Sequence, residues 1–209
     1  MIISRAYDEA KRDVYNRIYN YIEYEEPTKG IWAQAKGATI ETDKDIESSQ
    51  MFKVNNAGAI VGFDMMTSSS GMTGVYAKQN KSSINQGSDL HKADINSYGL
   101  GLYGGIVKEK YDIKGLLSLG SDNYETTRYL RFENMTKAKG KFGGISAILD
   151  VEAGYRIGVA SRSVLGRIKL RPYVGVGLGL IHTDGFTENG ADIWNLEVKA
   201  NNYLRAGVE

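Results

Sequence analysis

The chain has 209 residues, with 26 Lys and Arg against 25 Asp and Glu and a net charge of +1, a balance that gives no general attraction to nucleic acid. It holds 25 Gly and 14 Tyr but only 2 Pro, where average usage would give roughly 15 Gly and 10 Pro; this suits continuous strands in a crowded, curved sheet better than linkers. Cys is absent, which removes disulfide and Cys-zinc chemistry, and with a mean hydropathy of −0.36 and no apolar run of ~18 residues a transmembrane helix is excluded.

Ile3 to about Tyr24 contain no Pro or Gly. Ala10, Val14, Ile18 and Ile22 recur every four residues, with Ile3 and Tyr7 prolonging the stripe, and Arg5, Asp8, Glu9, Lys11, Arg12, Asp13, Asn16 and Arg17 on the other faces. The spacing predicts an amphipathic helix ended by Pro27 and Gly30. On pattern alone it either packs on a sheet or threads a barrel. The start of the chain, MIISRAYDEAKRD, shows no cationic leader followed by an apolar core.

From Gly30 onward the pattern is one of strands. The first is Ile31–Ile40 and the second about Asn56–Met66, with Ala57, Ala59, Val61 and Phe63 opposite Asp64. A weaker third spans Met72–Gln79, a fourth Ile95–Lys108 and a fifth Tyr111–Tyr124. The sixth, from Lys141 to Val159, is the longest: Ile145, Ala147, Leu149, Val151, Ala153, Tyr155 and Ile157 alternate with Gly144, Ser146, Ile148, Asp150, Glu152, Gly154 and Arg156. Strand side chains alternate faces, and a two-faced strand this long is uncommon in water, whereas a membrane crossing needs about 9–11 residues. A seventh strand covers Ile168–His182 and an eighth about Val198–Glu209.

Connections alternate too. Thr67–Gly71, Glu109-Lys110 and the stretch around Ala160–Gly166 are short; Glu41–Met51, Asn80–Ala93, Glu125–Gly140 and Asp184–Glu197 are long and polar. Short turns on one rim and long loops on the other are the habit of outer-membrane barrels. The phases place Asp64, Lys114, Asp150, Glu152, Arg156, Arg171 and Arg205 toward the lumen, because the reverse would set charges against lipid at about 2–4 kcal/mol for each Arg or Lys at mid-membrane.

Other motifs carry little. Gly99-Leu-Gly101-Leu-Tyr-Gly104 matches a dinucleotide fingerprint, but the strand alternation runs straight through it where a helix should start. His91 and His182 have no triad or metal partners in the pattern, and in Asp43-x-Asp45-x-Glu47 a Ser stands where a calcium loop needs Gly. No cofactor, metal or catalytic residue is expected.

Several stretches, in order, resemble the C-terminal translocator domain of autotransporters, the type V secretion family. They are Gly30–Gly37, Ser97–Phe132, Ile145–Ile157, Leu170–Ala191 and Tyr203–Glu209, with Asp184, Gly185, Phe186, Thr187 and Glu188 the most telling. The resemblance implies an all-β, antiparallel up-and-down transmembrane barrel of twelve strands, about eight of them present here, with an N-terminal α-helix. Residues 1–29 would be a linker helix plugging the lumen and 30–209 a partial barrel lacking the last strands. It implies a non-enzymatic anchor in the bacterial outer membrane, within a longer precursor bearing a signal peptide. The implied partners are outer-membrane lipid, the protein's own N-terminal passenger and the barrel-assembly machinery, with no nucleic acid. Asn16 and Asn20 match, by position only, the Asn at which some members cut the linker. Two other readings stand beside it: a small closed outer-membrane barrel acting as adhesin or membrane stabiliser, and a soluble ligand-binding barrel.

Overall fold

The structure is a computed structural model that describes residues 11–20, 30–42, 52–68, 70–86, 91–130, 136–159 and 168–208. Residues 11–20 are helical, and no helix among the described residues is long and apolar enough to cross a membrane. Ala10 and Ile22, predicted in the helix stripe, and the acidic stretch at Asp43 lie outside the described residues.

The strands are β1 (Ile31–Thr42), β2 (Phe52–Ser68), β3 (Gly71–Gln86), β4 (His91–Val107), β5 (Tyr111–Leu130), β6 (Thr136–Tyr155), β7 (Ile157–Val159), β8 (Ile168–Leu170), β9 (Tyr173–Thr183), β10 (Phe186–Thr187), β11 (Glu197–Val198) and β12 (Asn201–Val208). Eight form one sheet in the order β1-β2-β3-β4-β5-β6-β9-β12, every neighbour antiparallel, and β1 and β12 do not pair with each other. β10 pairs with β11, and β7 with β8.

Two departures from the alternation have local causes. β9 begins at Tyr173 rather than Ile168 because Pro172 has no N–H to give the ladder; register runs on across the gap, from Gly154 opposite Tyr173 to Ile157 opposite Leu170. In β2 the register slips between Asp64 and Met66, so Met65 is the extra residue of a bulge. The slip keeps Asp64 on the inner face and carries Met66 to the outer one.

Several strands outrun their predicted ends. Asn80–Gln86, Glu125–Leu130 and Thr136–Gly140 were expected as polar connections but are paired strand. Beyond the apolar zone both faces meet water, so backbone pairing continues while the alternation that reveals it disappears.

The two faces differ sharply. On the outer face, cross-strand partners form aliphatic rows: Val75-Leu102-Leu117-Leu149-Leu178-Ala206, and next to it Ala77-Leu100-Leu119-Ala147-Leu180-Leu204. The following row, Gln79-Tyr98-Ser121-Ile145-His182-Asn202, is mostly polar or aromatic. Toward the short turns the belt closes at Tyr111 opposite Tyr155, each about half exposed. From Tyr155 to Ile145 is ten residues, roughly 33 Å along the strand, or ~25 Å of height at the usual tilt, the thickness of a bilayer's apolar band.

The inner face curls around the helix. A flat sheet would separate β1 from β6 by about 24 Å, yet one helix some ~10 Å across reaches Lys36 on β1 and Asp150 on β6. The core lies in this hollow: Val14, Tyr15 and Ile18 of the helix against Ile60, Met72, Tyr76, Tyr103 and Leu116, with Trp32 at its margin. Lys11 and Asp13, expected on the helix's wet faces, are buried as well, because the sheet opposite them carries the complementary charges.

Candidate functional site

The chemistry of the inner face is a set of charge pairs that fasten the helix to the strands. Arg17 donates to Asp64 Oδ2 on β2 through Nη2 at 2.6 Å and Nε at 3.2 Å. The other oxygen of Asp64 accepts from the Tyr103 hydroxyl on β4, which in turn accepts from Trp32 Nε1 at 2.7 Å. Across the hollow, Tyr15 donates its hydroxyl to Asp150 Oδ1 on β6 at 2.6 Å, and Lys11 Nζ stands 3.1 Å from Oδ2. Lys36 on β1 pairs with Asp13, and the Lys114 ammonium lies 5.0 Å from the centre of the Tyr15 ring. Ile18 packs over Gly105, where an added Cβ would come within 2.5 Å of Ile18 Cγ2.

Toward the short turns a second group pairs strand with strand. Lys114 meets Glu152 at 3.0 Å; Arg171 donates to Glu152 at 2.7 Å and to both oxygens of Asp112; Arg156 lies 3.5 Å from Asp112. A buried charge with no partner is costly, and here cation alternates with anion.

The chain from Asp184 to Ala200 closes the long-loop end. Asp184 N–H bonds to the Gly143 carbonyl at 2.9 Å, Gly185 leads into Phe186 and Thr187, and these pair with β11. Phe186 stacks on Phe142 at 4.4 Å, and Phe142 on Tyr124 at 4.6 Å; Gly140, beneath the Phe186 ring, has no room for a Cβ. Arg128 Nη2 donates to Glu188 Oε2 at 2.5 Å and to the Trp194 carbonyl at 2.9 Å. The Arg128 hydrogen bonds, supported by the Leu196 N–H, hold the Glu188 carboxyl below the ordinary glutamate range although burial opposes it. A short 3-10 turn, Asp192–Trp194, completes this strap.

Of the residues singled out from sequence, Asp64, Lys114, Asp150 and Glu152 are buried on the helix-covered face, as are Val14 and Ile18. Arg156 and Arg171 are partly exposed and share Asp112. Arg205 is exposed on the edge strand β12, opposite Gly179. The pattern missed Asp13, Tyr15, Lys36, Asp112 and Arg128. Asp112 was legible, two residues before Lys114 in the same phase; the helix partners were not, since alternation ignores a helix distant in the chain. His182 contacts Asp184 at 3.3 Å and Asn202 at 2.7 Å, and among the described residues no cluster of three possible metal ligands occurs.

An up-and-down antiparallel meander with an aliphatic outer belt and an ion-paired inner face holding a helix defines the outer-membrane β-barrel class. Within that class the chain belongs to the autotransporter β-domain family, whose model matches residues 31–207. This places it among the outer-membrane barrels of type V secretion, in a translocator and anchor role. The fold is similar to the translocator domain of autotransporter NalP from Neisseria meningitidis, with a TM-score of 0.72 and 15% identity, over 99% of this chain and 70% of that one. No curated protein sequence matches the chain.

Proposed function

We propose that this chain is the membrane-embedded part of a secreted precursor, exporting and then displaying an N-terminal passenger at the cell surface while adding no catalysis of its own. The single observation that supports this most is the helix held by charge pairs to β1, β2 and β6 on the face away from the aliphatic belt. In this reading that face is the lumen, and Asp64, Lys114, Asp150, Glu152, Arg156, Arg171 and Arg205 line it. Residues 1–29 are the end of the exported segment, left in the channel as its plug, and 30–209 form the wall. Among the described residues the outer edges of β1 and β12 are unpaired, which would cost several kcal/mol per unsatisfied group in lipid. We assign their closure to further strands of the longer protein, delivered by the barrel-assembly machinery after signal-peptide export.

The test is an epitope fused ahead of residue 1 in the complete precursor. It should become protease-accessible on intact cells and retreat to the periplasm when Leu117 and Leu149 are both changed to Asp. Accessibility unchanged by that pair would defeat the translocator reading.

A further inference from the structure

One row of the outer belt is not filled. Between Val75-Leu102-Leu117 and the pair Ile106-Ile113 lies the cross-strand row Thr73-Gly104-Gly115-Val151-Val176-Val208, whose two adjacent positions on β4 and β5 have no side chains. The hollow this leaves has a volume of about 720 Å³. Packing does not demand glycine at 115. A Cβ there would meet Asp150 O at 3.4 Å and Val151 Cγ2 at 3.7 Å, ordinary contact, unlike Gly105 under the helix. Glycine weakens a strand interior, so what it achieves at 115 is an open groove.

The groove opens past Gly71 at the short-turn rim, where Lys108, Ser68 and Ser70 line it. Farther along β3 a second, separate hollow of about 620 Å³ lies over Val75 and Ala77, walled by Phe63 and Leu100. An apolar groove over Gly104 and Gly115 with Lys108 and the Ser68 and Ser70 hydroxyls at its mouth matches an acyl chain joined to an anionic phosphate.

We propose that this groove is a binding site for one anionic phospholipid of the periplasmic leaflet, its acyl chain across Gly104 and Gly115 and its phosphate at Lys108. The site rests on the outer-membrane reading proposed above, with the short-turn rim on the periplasmic side, as is usual for outer-membrane barrels.

The complete precursor, inserted in nanodiscs of phosphatidylcholine with a minority of phosphatidylglycerol, is released in a native mass spectrometer and its retained lipid counted. One phosphatidylglycerol should be retained in preference to phosphatidylcholine. Lys108→Glu should weaken that preference about fivefold or more, the weight of one cationic contact with an anionic lipid. Gly115→Leu should remove retention, as should Thr73→Leu, which fills the same groove from an exposed position on β3; Ala147→Leu, elsewhere on the belt, should leave it intact. Insertion with both lipids retained alike, or retention unmoved by either groove-filling change, means annular lipid only and overturns the site by itself. A precursor that does not insert at all overturns the site together with the membrane reading.

Discussion

Glu152 shows how the charges of the inner face depend on one another. It is 7% exposed and takes both Lys114 at 3.0 Å and Arg171 at 2.7 Å, so its carboxylate neutralises cations from two strands. Removing one member of a buried ionic set costs about 3–5 kcal/mol, because the remaining charges stay desolvated. Glu152→Ala should therefore lower thermal stability in detergent by an amount of that order. Glu152→Gln, which keeps the volume and an accepting oxygen, should cost less. Equal melting of both variants and the parent would show that water already reaches this pair.

Two elements carry their own tests. The helix approaches the wall closely at Gly105, so Gly105→Leu should displace it from Ile18 outward and expose residues 11–20 to protease, with the strands intact by circular dichroism. The strap from Asp184 to Ala200 hangs on Arg128 and Glu188, and there the sign of the pH response is set. A carboxyl held below its ordinary value stabilises wherever the free carboxyl would be ionised, above about pH 4.3. That stabilisation is lost as pH falls from there through the lowered folded value. Acid that carries the pH down through that lowered value should thus release the strap, read as a change in Trp194 emission, and Glu188→Gln should show the released signal already at pH 7. An unchanged emission in that variant would mean the aromatic stack of Phe186, Phe142 and Tyr124 holds the strap alone.

For the molecule as a whole, the decisive property is which face looks outward. Leu149 sits in an aliphatic row, and Asp150, the next residue, bonds to the helix. Spin labels at these adjacent positions in bilayers should report opposite surroundings: oxygen dissolved in lipid should relax the label at Leu149 and spare the one at Asp150. Leu117→Arg, near the middle of the belt, should cost roughly 2–4 kcal/mol of folding stability in a bilayer. Matching relaxation at both labels would remove the basis for the belt and with it the barrel assignment.

Much of this was legible residue by residue. The alternation Leu149-Asp150-Val151-Glu152 needs only the pleat of a strand to assign its faces, and the rows of the belt follow once neighbouring strands are antiparallel. The short connections at Thr67–Gly71 and Glu109-Lys110 likewise foretold antiparallel neighbours, whereas much of two connections expected to be long is strand. Where pairing runs on through Asn80–Gln86, nothing in the residues shows it, because water on both sides imposes no apolar phase. The burial of Lys11 and Asp13 was hidden for a different reason: a charge on a helix looks solvated until an opposite charge from a distant strand is brought against it. Local periodicity, being a property of neighbours in the chain, set the strands and their faces. Only the curl of the sheet, which joins β1 and β6 through a single helix, decided which charges would meet.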